Sequence, residues 1–425
     1  MPDAGRWRWP ALTMFTVGYG ANQFVPLLAV YRRTLGLSDT QATAVFGVYA
    51  LGLIPGLLIG GRASDRFGRR ALMIAFAALS LLATAVLAGG QWGVGWLYAG
   101  RLLTGVVSGT VFTIGTAWVK ELSDDSHPGS GARRAGVALT AGFGVGPLVA
   151  GLLAQWAPAP VLLPYLIHLV LTVMAIAVLP RAPETRTRTR GSSSRAPLLP
   201  ASARTARFRG ITMPLAPWVF GSVTVAFTTL PAHGIGRVAG LHVAVPGLLA
   251  ALALTAGYGV QAAGRRLHAA STARHGDGRV AAAAGLAVVV FGCLASAFAT
   301  AQPGLPTAAG AAALLGAGYG LCLSTGLREV EELAARDELG ATISIFYSLA
   351  YAGLLVPYLL TFLAPRLGYP WALTAAAAAA GFTIVLVLVS RPGSGPGPGR
   401  ASRPRRSVAA RLNQTRQRRY LNPTE

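Results

Sequence analysis

Charge is scarce in this chain: of 425 residues, 12% are Asp, Glu, Lys or Arg, while 53% are hydrophobic. A water-soluble domain carries roughly 25% charged residues, so a globule with an ordinary wetted surface is excluded. Lysine is all but missing, with a single Lys120 beside 36 arginines. Cysteine is limited to Cys293 and Cys322, both inside apolar runs. That excludes a disulfide framework or a Cys-x-x-Cys metal site and leaves two small packing residues. Acids number fourteen, and none lies midway along an apolar run. No P-loop, G-x-S-x-G elbow or H-E-x-x-H occurs, and Ser, His and Asp never fall together as nucleophile and base. An enzyme is therefore not expected, nor a cofactor or a metal centre. With no ATP site, any pumping draws on an ion gradient or on the substrate's own.

Long apolar runs are what the chain does have. A membrane-spanning helix needs about 20 mostly apolar residues, and twelve such runs occur: 10–31, 40–60, 71–89, 93–119, 135–156, 160–180, 213–232, 240–262, 280–300, 305–327, 341–363 and 370–390. The 53 glycines and 27 prolines suit helices in lipid, where both are tolerated. The first run follows Arg6 and Arg8 but is too long for a signal h-region, so it is read as a retained helix. With the N-terminus inside, the inner segments hold 32 of the 37 Lys and Arg and the outer loops four, while Arg101 falls within a span. Positive charge collects on the cytoplasmic side of membrane proteins, which predicts both termini inside and a plasma-membrane location. The net charge of +23 is then a record of topology, and nucleic-acid binding is not expected.

The longest polar interruption, residues 181–212, is basic and Ser/Pro-rich and divides the spans six and six. The predicted organisation is an N-terminal six-helix bundle (1–180), a flexible cytoplasmic linker (181–212), a C-terminal six-helix bundle (213–390) and a disordered basic tail (391–425). The tail suits attraction to anionic lipid headgroups. A monomer suffices for this layout.

Between spans 2 and 3 stands Gly61-Arg-Ala-Ser-Asp65-Arg66-Phe-Gly68-Arg69-Arg70. Together with the six-plus-six layout, it resembles the loop signature G-x-x-x-D-R-x-G-R-R of the major facilitator superfamily. In span 4, Gly100-Arg101-Leu-Leu-Thr-Gly105 resembles that family's intramembrane arginine motif. In span 5, Gly142, Gly146, Pro147 and Gly151 resemble the glycine–proline motif of its twelve-span drug–proton antiporters. Pro-Glu-Thr at 183–185 also fits. The corresponding second-half loop, Gly264-Arg265-Arg266, lacks the Asp. The resemblance implies an all-α membrane protein of two pseudo-symmetric six-helix bundles working by alternating access.

The resemblance gives the loop signature the role of a conformational lock on the inner side. Gly61, Asp65, Arg66, Gly68, Arg69 and Arg70 would clasp the halves there, with Asp65 held at the positive end of span 11, which follows Gly340. Glu121, Glu329, Glu331 and Glu332 are candidate partners for the arginines. Marking topology is the simpler role for the same charges. For Arg101, the resemblance implies contact with span 1 and tuning of proton transfer, whereas its long stem also permits snorkelling. Candidates for proton coupling are Arg101, His168 and Asp65, with His242 and Asp39 as alternatives, although His168 fits equally as a satisfied packing residue.

A substrate would lie between the halves near the bilayer midplane. The helical repeat puts Tyr19, Asn22, Gln23 and Pro26 on one face of span 1, Phe220, Thr224 and Phe227 on one face of span 7, and Tyr347, Tyr351 and Tyr358 on one face of span 11. Aromatic faces with few neutral hydrogen-bonders suit an apolar or weakly cationic ligand, though each stripe also fits interhelical packing. The expected function is proton-coupled export of a small amphiphilic compound or drug. The alternative on the same fold is a symporter or uniporter for uptake of a sugar, organic acid or other nutrient. A sensor or scaffold using the basic tail is the third.

Overall fold

The computed structural model describes residues 5–123, 130–185, 200–236, 240–335 and 338–390. The expected tail at 391–425 and the middle of the expected linker, 186–199, lie outside the described residues. Twelve helical segments run up and down the bundle. In order they are α1 (Arg8–Asn22, resuming as Phe24–Thr34), α2 (Asp39–Phe67), α3 (Arg69–Ala88), α4 (Val94–Glu121), α5 (Ser130–Trp156) and α6 (Leu162–Val178). The second six are α7 (Met213–Phe227, resuming as Thr229–His233), α8 (Ala244–His275), α9 (Arg279–Ala301), α10 (Leu305–Leu333), α11 (Leu339–Ala352, resuming as Val356–Leu367) and α12 (Tyr369–Val389). Eleven of these segments are long and apolar enough to cross a membrane. α1, in pieces of 15 and 11 residues, is the one of the twelve outside that set. No strand occurs among the described residues.

Three helices are broken, each in the same way. Pro26, Pro231 and Pro357 stand four residues beyond Asn22, Phe227 and Gly353, where α1, α7 and α11 are interrupted. A proline has no N–H to give the carbonyl four residues back, and its ring clashes with that carbonyl. At the break in α1, Gln23 keeps right-handed helical angles and its N–H still donates to the Tyr19 carbonyl at 2.9 Å. Other ends follow from capping. Ser38 accepts from the Gln41 N–H at 3.2 Å and its own N–H donates to Gln41 Oε1 at 3.0 Å, starting α2 with a reciprocal cap. Residues 208–212, expected in the linker, form a π-helical turn running directly into α7.

The same packing occurs twice. α2 lies on α4 and α8 on α10; α3 lies on α6 and α9 on α12; α1 lies on α5 and α7 on α11. Two six-helix bundles result. Lipid hydrocarbon gives no apolar drive for helices to associate, so close backbone approach carries the packing. An added Cβ at Gly105 or Gly109 of α4 would collide with the carbonyl of Tyr49 or Leu53 in α2, and one at Gly316 or Gly320 of α10 with Ala253 or Gly257 in α8. The halves meet along α5–α8 and α2–α11. We call the end carrying Arg62, Arg66, Arg69 and Arg70 the basic end, and the other the Asp39 end.

Candidate functional site

At the Asp39 end one carboxylate joins both halves. Asp39, the first residue of α2, pairs with Arg32 of α1 in its own half. From the other half, Tyr369 Oη donates to Asp39 Oδ2 at 2.8 Å, and His233 Nε2 lies 3.1 Å from the same oxygen. The His233 and Tyr369 rings stack with centroids 3.8 Å apart, which fixes both polar atoms toward Asp39. Nearby, Gln155 Oε1 of α5 accepts from the backbone N–H groups of Val243 and Ala244 at the start of α8, at 3.0 and 3.3 Å. These polar contacts between the halves gather at one end of the molecule. Sequence reading had treated Asp39 only as an alternative proton group; nothing local announces partners about 200 and 330 residues away.

At the basic end, the Arg69 cluster draws Asp65 and Glu121, and the Arg207 cluster Glu329 and Glu332, from its own half. Gly68, at φ +94°, turns the chain from α2 into α3 and leaves room for Glu184, whose carboxylate would sit 2.8 Å from a Cβ there. Glu184 accepts from the backbone N–H groups of Arg69 and Arg70, both at 2.9 Å, and so caps α3. The Arg69 guanidinium lies 3.0 Å from Asp65 and 3.0 Å from Glu121 and donates to Ser64. Arg70 donates to the Pro180 carbonyl at 3.4 Å, Arg66 lies over Phe67, and Gly61 faces Thr113 of α4. Asp65 thus pairs one turn away on its own half. The start of α11, the partner implied by resemblance, instead meets Ala201–Arg204, with the Glu338 carboxylate accepting from the N–H groups of Ala201 and Ser202 at 3.1 Å each. Those two donors hold the Glu338 carboxyl below the usual carboxylate range. Glu184→Ala strips two N–H groups of their acceptor and is expected to cost about 1 kcal/mol, read as a melting temperature lower by roughly 2 °C.

The second half carries a counterpart that sequence reading missed. Arg207 donates to Glu329 twice at 2.8 Å and to Glu332 at 2.6 Å. The Gly278 N–H donates to Glu329 Oε1 at 2.7 Å, and His268 Nε2 lies 2.8 Å from Glu332. Glu329, a candidate partner for the loop arginines, is completely buried and taken by Arg207. Glu331 pairs with Arg328. His268 stands four residues after Gly264, as Asp65 stands four after Gly61; that spacing was the available signal. His268, Glu329 and Glu332 bring three ligand-type atoms within 4.8 Å, but the Arg207 guanidinium already pairs with both carboxylates and would compete with a cation for their oxygens.

Inside the first half, Arg101 is 1% exposed. Its guanidinium donates to the Ala21 carbonyl at 2.9 Å and the Phe46 carbonyl at 3.4 Å. The rings of Tyr49, Phe24 and Phe46 surround it at 4.4, 4.9 and 5.5 Å. The Ala21 carbonyl lies one residue before the end of the first piece of α1, and cation–π contact adds to the compensation. Snorkelling, the alternative for Arg101, is not what the side chain does. His168 is also buried, its Nδ1 2.8 Å from Thr84 Oγ1 and its Nε2 3.3 Å from Thr172 Oγ1, and Tyr19 stacks on it at 6.1 Å. Asn22 donates to the Phe143 carbonyl of α5 at 3.3 Å. Gln23 is fully buried with neither end of its amide hydrogen-bonded, and the Tyr19 hydroxyl is likewise without a partner.

In the second half, Phe220 stacks on Tyr351 at 4.1 Å and lies 5.6 Å from Tyr319, with Tyr347 6.2 Å from Tyr351. The structure therefore brings three of the expected aromatics together and adds Tyr319, hidden in sequence among the glycines of α10. Thr224 spends its hydroxyl on the Gly221 carbonyl of its own helix at 3.1 Å, and Phe227 ends the first piece of α7. The span 5 motif divides by face. A Cβ at Gly142 or Gly146 would collide with the Phe15 or Tyr19 carbonyl of α1, whereas Pro147 and Gly151 lie against Gly247 and Val243 of α8 at the seam between halves.

Comparison with known proteins completes the picture. The puromycin resistance protein of Streptomyces alboniger is 32% identical over 163 residues, covering 36% of this chain and 31% of its own length. The bacillibactin exporter of Bacillus subtilis is 27% identical over 143 residues, covering 32% and 36%. The chain thus spans only about a third of the curated relatives it matches. Among solved structures, a POT family transporter in complex with 5-aminolevulinic acid superposes with a TM-score of 0.73 at 11% identity, covering 90% of this chain and 95% of that one. The human organic anion transporter TETRAN gives 0.62 at 17% identity, covering 91% and 100%. At such identities these likenesses speak for the fold alone. The sequence profile of the Major Facilitator Superfamily matches residues 11–271, more than half of the sequence. With its doubled six-helix packing and its Gly61–Arg70 loop at one end, this chain belongs to the major facilitator superfamily of membrane transporters.

Proposed function

We propose that this transporter exports a small amphiphilic compound in exchange for protons, from the cell membrane, with both termini in the cytoplasm. The observation that carries the reading is the asymmetry between the two ends. Polar contacts join the halves around Asp39, while the Arg69 and Arg207 clusters each close within their own half. Such an arrangement supports a state shut on the outer side, with the basic end facing the cytoplasm as the arginine distribution requires. In the opposite state the Gly61–Arg70 loop would clasp the halves at the basic end. Direction rests on the relatives, which include an exporter and resistance proteins. The aromatic cluster of Phe220, Tyr319, Tyr347 and Tyr351 offers stacked ring faces with three phenolic hydroxyls, a surface suited to an amphiphile.

His168 is the candidate proton carrier, a titratable ring deep in the bundle beside two hydroxyls and Tyr19. Arg101 lies between α1 and α2 as a fixed positive charge that would tune it. The test is transport by purified protein in liposomes under an imposed pH gradient, with a panel of amphiphilic cations and neutral drugs. Uptake into inside-out vesicles that collapses with the gradient is expected; transport unchanged without the gradient leaves a facilitator and removes antiport. His168→Asn is expected to abolish gradient-driven accumulation while leaving substrate exchange at equal pH intact. Loss of both together would make His168 a structural residue only.

A further inference from the structure

A cavity of about 330 Å³ opens at the basic end, lined by Gly5, Arg6, Arg8, Trp9 and Arg181. It lies where α1 begins and α6 ends, since α1 packs against the turn Leu179–Arg181. Arg6, Arg8 and Arg181 are exposed, and the Arg181 guanidinium sits 5.7 Å from the Trp9 ring. Trp7, next in line, carries Arg134 over its face at 4.5 Å. None of these groups takes part in the gates or the aromatic cluster.

We propose that this cavity is a binding site for the phosphate head of an anionic membrane lipid. Three guanidinium groups around one cavity suit a phosphate oxyanion, which they can hold in bidentate fashion. The position selects the lipid over free phosphate. Tryptophans gather at the headgroup level of a bilayer, and Trp9 lines the cavity at the start of α1. From Arg181 an apolar track leads back along α6, where Met174, Val173 and Val170 are each more than half exposed. Acyl chains along that track would leave the headgroup at the arginines. Basic pockets between spanning helices bind anionic headgroups by this combination of charge and depth. The site would tie the first helix of one half to its last, independently of any transported compound.

The experiment is native mass spectrometry of the full chain in detergent, titrated with cardiolipin, phosphatidylglycerol and phosphatidylcholine, with inorganic phosphate as competitor. The intact protein is expected to retain the two anionic lipids and not phosphatidylcholine. Arg6→Gln/Arg8→Gln/Arg181→Gln is expected to weaken that binding on the order of 100-fold, from about fivefold per arginine near a lipid surface. Arg265→Gln/Arg266→Gln/Arg274→Gln, an equal loss of charge at the same end, should leave it unchanged. Equal weakening by both triple variants would mean diffuse attraction and no site. Displacement of the lipid by millimolar phosphate would make the ligand the free ion, and the lipid assignment would fail. Transport is not measured, so this outcome and that of the export assay are separable.

Discussion

Alanine at Gly142 or Gly146 is expected to unseat α5 from α1, whereas alanine at Gly144, two residues from each, is expected to be tolerated. The three glycines share one helix and differ only in what they face. A Cβ at the outer two would overlap the Phe15 and Tyr19 carbonyls, while nothing lies within 4 Å of one at Gly144. Backbone atoms of a packed helix cannot step aside as a flexible side chain can, so the cost falls at the upper end of overpacking, about 3 kcal/mol. Against a total stability of roughly 5–15 kcal/mol that is a severe loss. Gly144→Ala should instead gain up to about 1 kcal/mol from helix propensity. Thermal melts of the purified variants check this; equal melting temperatures for all three would remove close backbone packing as the reason for the motif.

The second large effect concerns the gate. Asp39→Asn keeps the shape of the side chain but removes the charge that Arg32 and His233 share, and it weakens the Tyr369 bond. Hydrogen bonds to a charged group contribute about 1.5–3 kcal/mol each. Asp39 is partly exposed, with a side-chain accessibility of 30%, so solvent screening lowers the expected total to about 2 kcal/mol. A difference of about 2 kcal/mol moves a two-state equilibrium roughly 30-fold toward the state open at that end. Spin labels at Thr40 and Trp371, on opposite halves beside the clasp, report the separation directly. A longer distance is expected to become dominant in Asp39→Asn. An unchanged distribution would mean that the glycine seams alone hold that end shut. His233→Phe keeps a ring to stack on Tyr369 and should give a smaller shift in the same direction.

Much of the fold was legible because lipid makes length and polarity decisive: each apolar run became a helix, and the runs end where arginine, glycine or proline appears. The extent of helix was less so. α8 continues to His275, well past the apolar limit at 262, because hydrogen bonding along a helix does not stop where lipid does. The breaks were written in the sequence as Pro26, Pro231 and Pro357 and could have been read from the four-residue reach of a proline. Of the site, the loop signature and Glu121 were visible locally. Asp39 with Tyr369, Arg207 with Glu329, and Glu184 on the end of α3 were not, since each depends on segments brought together only by folding. Tyr319 was obscured by its small neighbours, although those same glycines are what let its helix come close to α8.

The three proline breaks bear on how the Asp39 end can move. Arg32 rides on the short piece Phe24–Thr34, His233 ends the piece Thr229–His233, and Tyr369 follows Val356–Leu367 by two residues. Every partner of Asp39 is thus mounted on or next to a short piece that a proline sets off from its parent helix, while glycines hold the trunks below in close contact. Unlatching is therefore expected to begin with a tilt of these short pieces and to be followed by rotation of the longer trunks.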